Sequence, residues 1–135
     1  MYTLNFEKLA FYDAGKVGIS IDVRIELGGL SAEFSAKLDT GATACVFNRA
    51  YGEQIGIEIE KGEPQSFSTA TDSFSAFGHY VTLIAADFEF YPQVFFAESE
   101  NINHNVLGRH GWLDRVIVGI NDYDGKLYLS RYESE

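Results

Sequence analysis

The chain has 135 residues, with 10 Lys and Arg against 20 Asp and Glu, for a net charge of -10 at pH 7. That is the length of one ordinary domain, and 46% hydrophobic with 15% aromatic residues is enough apolar material for a core, which excludes global disorder. The acid excess contains no local Lys/Arg cluster, so phosphate backbones and anionic lipid are repelled and neither nucleic acid nor a membrane surface is expected as a partner.

In chain order, residues 2–12 read as strand-like. From 17 to 27 the odd positions are Val17, Ile19, Ile21, Val23, Ile25 and Leu27, while the even ones include Ser20, Asp22, Arg24 and Glu26. This is the period-two alternation of a half-buried strand. Gly28-Gly29 marks a turn, and alternation resumes with Phe34, Ala36 and Leu38 on one face and Ser35, Lys37 and Asp39 on the other, which predicts a hairpin. Further strands are predicted over 67–71, 74–90, 93–97, 116–120 and 127–130, the last two joined by the turn-rich Asn121-Asp122-Tyr123-Asp124-Gly125. Helical signals are confined to 49–55 and 109–114. The expected architecture is all-β, a small β-barrel with one or two short helices, over a single domain 1–135 without linker or repeat.

The chemistry on offer is limited. Cys45 is the one cysteine, so no internal disulfide can form, and its setting beside Phe47 suits core packing better than nucleophilic attack. Neither a basic-then-apolar leader nor an apolar run of about 18 residues is visible, which points to a cytoplasmic protein. His79, His104 and His110 lack the short paired spacings of metal ligands, and Asp122 to Gly125 lacks the third acid and terminal Glu of a calcium loop. No metal and no cofactor are expected. Trp112 and Leu113 read as a plug for the barrel, and Tyr91, Phe95 and Phe96 as core or subunit contact.

One tripeptide stands apart: Asp39-Thr40-Gly41, at the end of the strand where alternation stops. By itself it is satisfied by an Asx-type turn, since all three residues are turn formers. Its weight comes from a second segment, the apolar pair Val106-Leu107 followed by Gly108, with the short helix-like Arg109-His110-Gly111-Trp112-Leu113 behind it.

With Leu38-Asp39-Thr40-Gly41-Ala42-Thr43 as a loop, a polar stretch between Ser68 and Phe77, and Asn105-Val106-Leu107-Gly108-Arg109 as an apolar-apolar-Gly-Arg strand, the sequence resembles the retropepsin-like aspartic proteases over roughly 32–114. The resemblance implies a closed barrel with Asp39 as the catalytic residue and Thr40, Gly41 and Ala42 as its supporting loop. It makes Ala70, Thr71, Asp72 and Ser73 the flap that covers substrate, and Gly108 and Arg109 structural neighbours of the site.

Physical chemistry agrees on one requirement. A lone carboxylate cannot serve as both acid and base, whereas two held a few Å apart share one proton. A chain with one Asp-Thr-Gly therefore needs a second copy of itself, and the expected partners are that copy and a peptide or protein substrate. Three features depart from the retroviral pattern: Thr43 stands where an Asp supports the Arg, the flap has no glycine between Ser66 and Phe77, and Lys37 replaces an apolar residue. A Lys37 charge turned toward the cleft would depress the dyad's first ionisation and favour acidic or polar side chains. Two competing functions remain at this level: a retropepsin-like module that grips a peptide or protein without cutting it, and a structural β dimer with a fortuitous Asp-Thr-Gly.

Overall fold

A computed structural model describes residues 1–132. It opens with a short strand, β1 (Lys8–Phe11), followed by β2 (Ser20–Leu27) and β3 (Leu30–Leu38). These two pair antiparallel from Ser20↔Lys37 to Leu27↔Leu30, leaving Gly28-Gly29 as a two-residue turn, as the alternation predicts. Ile21, Val23 and Ile25 on β2 and Ala32, Phe34 and Ala36 on β3 are buried on one face, while charged residues take the other.

After β4 (Val46–Phe47) comes the one α-helix, α1 (Arg49–Gln54), close to the predicted 49–55. Asn48 caps it by accepting from the Ala50 amide at 2.8 Å. A 3-10 turn (Ile59–Lys61) leads to β5 (Glu63–Ser68) and β6 (Ser73–Tyr80), then β7 (Thr82–Ala85), β8 (Phe88–Phe90), β9 (Gln93–Ala97) and β10 (Val106–Leu107). A second 3-10 turn (Leu113–Arg115) precedes the hairpin β11 (Val116–Asn121) and β12 (Lys126–Arg131).

Nine strands form one sheet in the order β5-β6-β9-β4-β10-β3-β2-β7-β8, curled as a half-barrel, and β1-β12-β11 form a second. The all-β expectation is met. Trp112, Phe47, Phe88, Phe96, Leu83 and Leu107 fill the curl, and the three-stranded sheet closes over them with Leu127, Leu129 and Val116. Helix α1 lies on the outside of this core, its Tyr51 stacked on Phe34 with ring centroids 4.2 Å apart.

Five predicted elements differ. The run 74–90 is three strands, because the chain breaks at Val81 and turns at Ala86-Asp87, both with positive φ (50° and 66°); no glycine announces that turn. The stretch 2–12 contains only β1, and 17–27 begins at Ser20, since Val17 is exposed and makes no ladder. The strand placed at 67–71 lies earlier, at Glu63–Ser68, and Thr69 to Asp72 form a turn. The helix expected over 109–114 is only the 3-10 turn at Leu113–Arg115, because Gly111 takes φ +113°, outside the helical region, and the amides of Leu113 and Asp114 reach back five residues to the carbonyls of Gly108 and Arg109.

Truncation of Phe96, which is fully buried against Phe47 and Gly52, should cost about 3–5 kcal/mol in a Phe96→Ala variant. Tyr91→Ala, at a side chain 68% exposed, should stay within about 0.5 kcal/mol of the parent. Urea unfolding of both variants measures the difference.

Candidate active site

The Asp39-Thr40-Gly41 loop leaves the end of β3, and what positions it is the path of β10. That strand runs parallel to β3 (Val106↔Lys37, Leu107↔Leu38) and antiparallel to β4 (Val106↔Val46), so it passes between the two strands that the loop connects. The ladder continues past both strand ends. The Asp39 amide donates to the Leu107 carbonyl at 3.0 Å, the Arg109 amide to the Ala42 carbonyl at 2.9 Å, and the His110 amide to the Thr43 carbonyl at 2.9 Å.

Contact this close is possible only because residue 108 has no side chain. A Cβ on Gly108 would collide with the Ala44 carbonyl and come within 2.9 Å of the Ala42 oxygen. Within the loop, the Gly41 amide donates to Asp39 Oδ1 at 2.9 Å and the Ala42 amide to the Asp39 carbonyl at 3.2 Å. The first of these turns the carboxylate and holds its orientation. Asp39, Thr40 and Gly41 are nevertheless exposed on the single chain.

The approach of β10 is set from a distance by two asparagines. Asn48, 8% exposed, donates through its side-chain amide to the carbonyls of Glu100 and Ile102, and its backbone amide donates to Asn105 Oδ1 at 2.9 Å. This ties the segment before β10 to the cap of α1. In the sequence Asn105 stands out only as the residue leading into Val106, and Asn48 not at all; an Asn directly before a helix is the signal that could have found it.

Ala70, Thr71, Asp72 and Ser73 lie where a flap was expected, at the tip of the β5–β6 hairpin. The tip is tied by the Thr69 amide and hydroxyl, both donating to the Asp72 carbonyl at 2.7 and 3.0 Å, and by the Ser73 amide donating to Asp72 Oδ1 at 2.8 Å. Behind it, Phe67 and Phe74 stack at 5.7 Å and Phe67 meets Phe95 edge-on at 5.2 Å. The aromatics pack on a second apolar cluster, Ala44, Val46, Ala76 and Phe95, with Val106 at its margin. Ala44 is the last residue before Cys45 in the segment that begins at Asp39, so this cluster joins the hairpin to the loop.

Arg109 is exposed and, among the described residues, has no ion-pair partner; the departure at Thr43 leaves it without the expected acid. It borders a cleft of about 300 Å³ with Thr40, His110, Leu113 and Asp114. A larger groove, about 710 Å³, lies between β1 and the β2–β3–β7 surface and touches none of these residues. Among the described residues no three His, Cys, Asp or Glu side chains gather as metal ligands, and no helix is long and apolar enough to cross a membrane. Cys45 lies beneath the loop with no exposed surface, and burial pushes its thiol up to about 12, which makes it a packing residue and no nucleophile.

A half-barrel whose Asp-Thr-Gly loop is stapled to a Gly-containing strand defines an acid-protease type of protein. Residues 21–110 match the family model described as aspartyl protease, and the chain belongs to that family. Its fold is retropepsin-like. It is similar to a retropepsin-like aspartic protease from Rickettsia conorii, at 14% identity and a TM-score of 0.63 over 90% of this chain and 96% of that one. It is also similar to EIAV protease complexed with the inhibitor HBY-793, at 20% identity and a TM-score of 0.52 over 80% of this chain and 88% of that one. No curated protein sequence matches it.

Replacing Gly108 with Ala should destabilise the protein by about 1–3 kcal/mol, because the methyl forces the loop and β10 apart; a thermal melt unchanged from the parent would contradict this packing. Cys45 gives a second expectation. The unfolded thiol ionises near its ordinary value of 9.0 while the buried one stays neutral, so stability declines as the pH rises from 9.0 toward about 12. Below that window a thiol reagent should label the native protein far more slowly than the urea-unfolded chain.

Proposed function

We propose that the protein is an aspartic endopeptidase that works as a homodimer, with one Asp39 from each chain forming the catalytic dyad. The observation that carries the reading is the Asp39 carboxylate: oriented by the Gly41 amide, held on a loop laddered to β10, and still open on the face of the single chain. Membership of the aspartyl protease family supports it.

In the dimer the two-fold axis runs between the two loops, and the pair of carboxylates shares one proton. The ionised member takes a proton from water as the water oxygen attacks the scissile carbonyl carbon. The protonated member gives its proton to the carbonyl oxygen, so a neutral gem-diol forms and the dyad still holds one proton. Return of a diol proton to the dyad, transfer of a proton to the amide nitrogen and cleavage of the C–N bond release the acid and the amine. Thr40 sits beside the axis, where its hydroxyl bonds across to the partner chain, and Gly41 offers backbone groups to the peptide without a side chain in the way. The tip formed by Ala70, Thr71, Asp72 and Ser73 closes over an extended substrate, backed by the Phe67–Phe74 pair, and excludes water from the bond being cut. Arg109 braces the loop from behind.

Asp39→Asn retains the shape and removes the acid–base function, so hydrolysis of a casein substrate should fall by about 10³-fold or more. Specific activity of the parent should also drop on dilution, as dimers dissociate. Undiminished turnover by Asp39→Asn would overturn the proposal, and saturable peptide binding without any cleavage by the parent would mark a binding module instead.

A further inference from the structure

The geometry points to Lys37 as a specificity residue that selects peptides carrying an Asp or Glu side chain near the cleaved bond. This rests on the peptide-cleaving reading above and adds the substrate class to it.

The argument begins with the sheet. Lys37 pairs with Val106, Val106 with Val46, Val46 with Phe95, and Phe95 with Gly78, and partners in register present their side chains on one face. Lys37 therefore belongs to the same face as the second apolar cluster, opposite the face that sends Leu38, Leu107, Phe47 and Phe96 into the main core. It is the cationic end of an otherwise apolar row, and Asp39 follows two residues later. Val46 and Phe95 are covered by the Phe67–Phe74 pair, while Val106 is half-buried and Lys37 exposed, so a peptide beside the Asp39 loop meets Val106 and the ammonium group next to the proposed chemistry.

Its stem is held in place. Gly18, at φ +80°, passes so close that a Cβ there would lie 3.1 Å from Lys37 Cδ and 3.2 Å from Cε. The outer part of the Lys37 stem thus lies across bare backbone, which restricts the atoms next to the ammonium of this exposed residue.

Its charge is also uncommitted. Among the described residues Lys8, Arg24, Arg49, Lys61 and Arg115 each have a carboxylate partner, and Lys37 has none; neither Asp22, one pair along on the same face, nor Asp39 forms an ion pair with it. In a chain with twice as many acids as bases, an unpaired cation next to the loop is available to an anionic group that arrives with the substrate.

The test uses statine-containing hexapeptides, made as twins with Glu or Gln at each position flanking the statine, and measures their binding to the parent, Lys37→Met and Lys37→Glu by calorimetry. Cleavage sites in a casein digest are mapped by mass spectrometry for the same three proteins. For at least one position the parent should bind the Glu twin about tenfold more tightly than the Gln twin, the difference shrinking with added salt. Lys37→Met should erase the preference, Lys37→Glu should reverse it, and acidic residues should be enriched around casein cleavage sites only for the parent. Thermal melts matching the parent confirm that both variants fold. Equal binding of the twins by the parent, or a preference that survives in Lys37→Met, overturns the role of Lys37 even if casein is cut. A Lys37-dependent Glu preference with no cleavage supports the role and overturns the peptidase. Failure of every twin to bind, with casein intact, overturns both.

Discussion

The arrangement of this protein around Asp39 depends on one close backbone contact: Gly108 against the carbonyls of Ala42 and Ala44. β10 contributes only two residues, too few to be stable as a strand in isolation. It persists because it is laddered on both sides, to β3 and to β4, and because the ladder continues through the amides of Asp39, Arg109 and His110. A loop of polar turn formers would otherwise be free to move. Here the amides of Asp39, Gly41 and Ala42 and the carbonyls of Asp39, Ala42 and Thr43 are bonded, and the side chain of Asp39 stays exposed.

The same nine-stranded sheet serves two apolar surfaces. One face closes on Trp112, Phe47, Phe96 and Leu107 and supplies most of the buried apolar area, while the other carries the smaller cluster of Ala44, Val46, Ala76 and Phe95 beneath the stacked Phe67–Phe74 pair. Because side chains alternate along each strand, Leu107 and Val106 fall to opposite surfaces although they are neighbours in sequence. Core stability and the packing of the second cluster are therefore coupled through a single strand. Asn48 extends that coupling to α1, since one side chain caps the helix and holds the segment that leads into β10.

How much of this was legible depended on whether a signal was local. The β2–β3 hairpin could be read directly, because strict alternation and Gly28-Gly29 are both short-range features. The turn at Ala86-Asp87 could not, since Ala86 is not a usual occupant of positive φ, no glycine marks the turn, and the surrounding Val, Leu, Ile and Phe continue a strand-like pattern through it. The segment from Arg109 to Asp114 has helix-compatible residues, yet Gly111 takes φ +113° and the chain turns there, its Arg109 and His110 amides bonded across to the carbonyls of Ala42 and Thr43. The tie between Asn48 and the segment before β10 could not be read either, because its partners Glu100, Ile102 and Asn105 lie more than fifty positions away.

From sequence alone came the all-β character, the position of the Asp-Thr-Gly loop at a strand end and the packing role of Cys45. These follow from side-chain period, turn chemistry and residue size, which act over a few positions. Only the tertiary structure decided that β10 passes between β3 and β4, that Phe67 and Phe74 lean on the same cluster as Val106, and that Lys37 shares their face with its charge unpaired. Those outcomes are set by pairing between strands distant in the chain, where register is chosen by the burial of whole faces, and no short-range pattern specifies it.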